Sequence, residues 1–78
     1  MKLAAGGLGI YVRERRQALG LSLTELGERA GLSEQAISAI ELGERRKIQG
    51  TTALRLARAL GVETDDLLAL ILIASPSL

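Results

Sequence analysis

Glycine punctuates this chain: Gly20, Gly31, Gly43 and Gly61 each stand just after a segment with helical apolar spacing. Glycine accepts the left-handed conformation that ends a helix without steric cost, so each of these segments reads as a short helix that stops there. No run of alternating β-branched residues suggests a strand. At 78 residues the chain is one domain, and a single core of that size stabilises it only marginally.

The first helix is expected over about Leu8 to Leu19, with Leu8, Val12 and Leu19 on one face. Ser22-Leu23-Thr24-Glu25 is a capping box, in which serine and glutamate satisfy each other's backbone donors, and it opens a second helix that carries Leu26 and Ala30. Ser33 caps a third, whose buried face is marked by Ile37 and Ile40 and which Gly43 ends. A fourth starts near Thr51 or Thr52, with Ala53, Leu56, Ala57 and Leu60 forming a core-facing stripe. Thr64 is expected to cap a fifth, with Asp65 and Asp66 in the first turn, where the helix dipole favours negative charge. The organisation that follows is a flexible segment over 1–7, a domain over 8–74 and a tail over 75–78.

The chain contains no cysteine and no histidine. That removes disulfides, thiolate zinc sites, cysteine nucleophiles and the commonest general base, so neither a metal, a cofactor nor a catalytic site is expected. Asp65 and Asp66 do not form a catalytic pair, because adjacent positions on a helix diverge by about 100°. A net charge of +1 names no partner, but Arg13, Arg15 and Arg16, and Arg45, Arg46 and Lys47, are clustered, as a local polyanion contact requires. The apolar run Leu67 to Ala74 is too short to cross a bilayer, and neither a signal peptide nor a membrane role is indicated. On those two grounds a cytoplasmic, reducing location is expected.

The most informative spacing is Leu26-x3-Ala30-Gly31-Leu32-Ser33-x3-Ile37-x2-Ile40. Two short helices joined by so tight a turn must cross steeply, as in a helix-turn-helix. The second of them then projects from the body, and its outer face carries small or polar side chains that suit a major groove about 12 Å wide.

Together with Val12-Arg13-Glu14-Arg15-Arg16, Leu19-Gly20-Leu21-Ser22, Ile37-Ser38-Ala39-Ile40-Glu41-Leu42-Gly43 and Leu56-Ala57-Arg58-Ala59-Leu60-Gly61-Val62, this stretch resembles the Cro/phage-repressor-type helix-turn-helix domain, the xenobiotic-response-element group. The resemblance covers about Leu8 to Leu68. It implies an all-α, compact five-helix, lambda-repressor-like domain with the helix-turn-helix at the second and third helices. It also implies that the chain binds double-stranded DNA, encoded by a bacterium or phage, with a third helix over Ser33 to Leu42 that reads bases.

On that resemblance Glu34, Gln35 and Ala39 face the bases, with Ser38 nearby. Gln35 suits adenine, whose N6 and N7 a glutamine meets with two hydrogen bonds, and Glu34 either accepts from cytosine N4 or only complements the helix dipole. Ser33 donates to a phosphate or caps the helix. Arg45, Arg46 and Lys47 are placed against phosphates, with Arg13 as a further candidate, and Arg16 and Glu41 form a structural pair that holds the recognition helix. The chain departs from the family pattern at Leu23, where a phosphate-contacting glutamine is common and where leucine instead extends the apolar stripe; at Gly27, usually alanine; and at Lys47-Ile48-Gln49-Gly50, in place of an Asn-Pro-Ser type of loop.

The final helix would be apolar around its whole circumference. Leu68, Ile71 and Leu72 are therefore expected to form a homodimer interface, since monomers rarely leave large apolar patches uncovered. The functional expectation is a sequence-specific transcriptional regulator, a homodimeric repressor reading a palindromic operator. The competing reading is an antitoxin-like or other protein-interaction module that binds a partner protein through the apolar helix.

Overall fold

The computed structural model describes the backbone of residues 3–44 and 48–74, and side chains over 7–44 and 48–69. The helices are α1 (Leu3–Ala18), α2 (Leu23–Ala30), α3 (Glu34–Glu41), α4 (Gly50–Leu60) and α5 (Thr64–Ala74), and no strand occurs among the described residues. Gly20, Gly31, Gly43 and Gly61, which follow the first four helices, all have φ between 70° and 80°, the left-handed stop that the spacing predicts.

α1 begins at Leu3, not at Leu8, so part of the segment expected to be flexible over 1–7 is helical. Gly9, inside the helix expected from Leu8, is there for proximity. A Cβ on Gly9 would lie 2.5 Å from the Glu41 carbonyl oxygen and 2.6 Å from that of Ile40, closer than any real contact. Glycine thus lets the backbone of α1 rest directly on the end of α3, and the helix accepts the propensity cost of about 1 kcal/mol.

Leu19 lies beyond the end of α1 and is 42% exposed, contrary to its expected place on the apolar face. The core position passes to Leu21, two residues later, because the chain reverses at Gly20. α4 starts at Gly50 after Gln49, which makes no side-chain cap, and Thr64 is the first residue of α5 rather than its cap.

The core is aliphatic throughout: Leu8, Val12, Leu21, Leu26, Ala30, Ile37, Ile40, Ala53, Leu56, Ala57, Leu60 and Leu67 are buried. α1 packs against α3 and α5, α2 against α3 and α4, and α4 against α5. α3 is therefore gripped along one face only, and its other face is left to solvent.

Candidate nucleic-acid interface

The unit α2–turn–α3 is built by local rules. Ser22 accepts from the Glu25 N–H at 3.0 Å, and the Ser22 N–H donates to Glu25 Oε1 at 2.8 Å, so the capping box forms as the sequence requires. That backbone hydrogen bond, helped by the Ser22 hydroxyl, holds the Glu25 carboxyl below its ordinary value. α2 ends where the Gly31 and Leu32 N–H groups both donate to the Gly27 carbonyl, with Gly31 at φ 70°. A Cβ on Gly27 would stand 2.6 Å from the Leu32 carbonyl oxygen, so the glycine that replaces the usual alanine is matched to an unusually close turn. Ser33 then caps α3, accepting from the Ala36 N–H at 3.1 Å. Its hydroxyl hydrogen is not used in that bond and can still be donated.

The far end of α3 is tied down. Arg16 Nε donates to Glu41 Oε2 at 2.6 Å and Nη2 to Oε1 at 3.0 Å, a two-point contact, while Nη1 donates to the Leu21 carbonyl at 2.9 Å. The two side chains are only 13% and 7% exposed, and the hydrogen bonds donated to Glu41 raise the guanidinium above its already high value, against the opposing effect of burial. The pair expected from the sequence thus forms and joins α1 to the end of α3.

Burial of Ile37 and Ile40 turns the opposite face of α3 outward. Gln35 and Glu34 are exposed, Ser38 and Ala39 are partly exposed, and the Thr24 hydroxyl donates to Glu34 Oε1 at 3.0 Å. Leu23 packs partly buried against the core, as the apolar-stripe reading has it.

The early basic cluster separates in space. Arg16 serves Glu41, Arg15 Nε donates to the Leu60 carbonyl at the end of α4 at 3.2 Å, and Arg13 is exposed. Arg45, Arg46 and Lys47 lie outside the described residues. Leu68 is 37% exposed, and the side chains of Ile71 and Leu72 lie outside the described ones.

Sequence reasoning did not single out two further residues. Leu42, at 68% the most exposed large apolar side chain described, stands seven positions after Gln35 and extends the same outward line. Arg55, off the core stripe of α4, brings Nη1 to 3.8 Å from where a Gly31 Cβ would stand and so puts a cation beside the α2–α3 turn. In both cases the signal was the helical period, read for the core alone.

A family model described as helix-turn-helix matches residues 12–67. An uncharacterized HTH-type transcriptional regulator of Methanothermobacter thermautotrophicus is 48% identical over 52 residues, covering 67% of this chain and 74% of that protein. Among solved structures, SinR, a master regulator for biofilm formation crystallised in complex with DNA, superposes with a TM-score of 0.74 at 28% identity, covering 78% of this chain and 97% of that one. ClgR, the clp gene regulator of C. glutamicum, superposes with a TM-score of 0.73 at 27% identity, covering 100% and 99%.

Proposed function

This chain belongs to the helix-turn-helix family, of the Cro/phage-repressor type, whose members are DNA-binding transcription regulators and not enzymes, and on that premise we propose that it is a homodimeric repressor reading a palindromic operator. The observation that carries the base-reading part is the asymmetry of α3. One face and the C-terminal end are locked into the domain, and the face bearing Glu34, Gln35, Ser38 and Ala39 is open. A helix held in this way can enter a major groove without losing its support.

In this reading Gln35 meets adenine N6 and N7, which gives roughly 1–3 kcal/mol of discrimination. Arg45, Arg46, Lys47, Arg13 and the Ser33 hydroxyl hold phosphates, which position the helix and supply sequence-independent affinity. Dimerisation through α5, by Leu68, Ile71 and Leu72, would set two recognition helices about one DNA turn apart, roughly 34 Å. If a dimer neutralises about six to eight phosphates, log affinity falls with log salt at a slope of roughly −5 to −7.

The test is selection of sites from a random duplex pool by the purified chain at about 0.15 M salt. Enrichment of an inverted repeat with half-sites about one turn apart supports the proposal. Salt-sensitive binding without enrichment would overturn it and favour the reading in which the apolar helix docks on another protein. Leu72→Glu should give monomers by light scattering, and an unchanged mass would remove α5 from the interface.

A further inference from the structure

We propose that Thr24 is a positioning residue for base readout: its hydroxyl holds the Glu34 carboxylate in place to accept a hydrogen bond from cytosine N4. This rests on the reading of α3 as the base-reading helix. The observation is the hydrogen bond from Thr24 Oγ1 to Glu34 Oε1 at 3.0 Å, between side chains that are both exposed and ten positions apart. It is the one described side-chain hydrogen bond between α2 and α3, and it lies beside Gln35 on the open face rather than in the core.

Leu23, the neighbouring residue, turns into the core, so Thr24 is the polar side chain that the first turn of α2 offers to the start of α3. A hydroxyl donates one hydrogen, and a carboxylate offers about four lone-pair sites and no donor. With one site taken by Thr24, Glu34 keeps the rest for an outside donor, in a fixed orientation. In the major groove cytosine presents its N4 amino group as a donor, whereas guanine N7 and O6 and thymine O4 are acceptors that a carboxylate repels. Adenine N6 is also a donor, but the adjacent N7 acceptor sets its edge against an anionic side chain. An exposed glutamate would otherwise lose rotamer freedom on binding, and Thr24 removes part of that loss beforehand.

The test uses the full chain and duplexes carrying the selected site, with each of the four base pairs placed in turn at the position where Glu34→Ala changes the preference. Thr24→Val, which keeps the shape and removes the hydroxyl, should reduce the preference for cytosine there by about three- to tenfold and leave the Gln35 position unchanged. Thr24→Ser should restore it. In a Glu34→Ala background Thr24→Val should have no further effect on base preference. Thr24→Ala serves as the second hydroxyl-free variant if valine disturbs the start of α2.

Equal weakening against all four base pairs would make Thr24 a phosphate contact and overturn the proposal. So would an unchanged preference, an effect that persists without Glu34, or a Glu34→Ala variant that alters no position. If selection enriches a site and Gln35→Ala relaxes one of its positions while Thr24→Val does nothing, this inference alone fails. If no site is enriched at all, it is the operator-reading function that fails.

Discussion

The two ends of α3 are held in opposite ways. At the C-terminal end the Glu41 carboxylate is gripped at two points by Arg16, and the backbone of α1 touches the Ile40 and Glu41 carbonyls across Gly9. At the N-terminal end Ser33 caps its own helix, Gln35 is exposed, and Glu34 is held only by the Thr24 hydroxyl on the surface. Both ends are rich in polar atoms, so composition does not distinguish them. What differs is burial. A nearly dry ion pair contributes rigidity because removing either partner strands the other, whereas an exposed hydrogen bond contributes orientation and little stability. One end of the helix therefore sets the angle of the unit, and the other is left to be changed without unfolding it.

The largest effect should come from breaking the buried end. Arg16→Ala leaves Glu41 and the Leu21 carbonyl without a donor and should cost about 3 kcal/mol. In a domain of this size that is a fall of more than about 10 °C in Tm by calorimetry. Gly9→Ala should cost about 2–3 kcal/mol, because the added methyl group meets backbone on the α3 side and the helices must part. Gly27→Ala should act in the same direction through the α2–α3 turn, by about 1–3 kcal/mol in urea unfolding, even though alanine is the better helix former.

A smaller effect belongs to the capping box. Glu25 is held below the ordinary carboxylate range, so its contribution to stability is present above that range and lost as pH falls through the lowered value. The Tm difference between wild type and Glu25→Ala should therefore be steady from pH 7 down to about 5 and shrink below about pH 4. A difference that grew with acid would contradict the direction of the shift.

Most of the architecture is legible in the linear order of residues. Left-handed glycines, the Ser22 and Ser33 caps and the aliphatic periodicity each act over four residues or fewer, and such signals survive in a single sequence. The misplacements have a common cause. The role of Gly9 is set by α3, and Arg13, Arg15 and Arg16 read as one cluster because the partners that separate them, Glu41 for Arg16 and the Leu60 carbonyl for Arg15, come from helices far along the chain. The Arg16–Glu41 pair is implied by the family resemblance, not by spacing. Thr24 with Glu34, and Leu42 on the outward line of Gln35, depend on how α2 and α3 cross and which face is left open, which only packing decides.

The smallest expected effect on stability is also the most telling. Gln35→Ala should be compared with wild type in two measurements on the same preparation: a thermal melt, and affinities for the selected site with every position varied in turn. Stability should stay within about 0.5 kcal/mol, and preference should relax at one position per half-site while affinity for unrelated duplexes holds. A uniform loss of affinity across all sequences, or a fall in Tm comparable to that of Arg16→Ala, would contradict the division of α3 into a supporting end and a reading end.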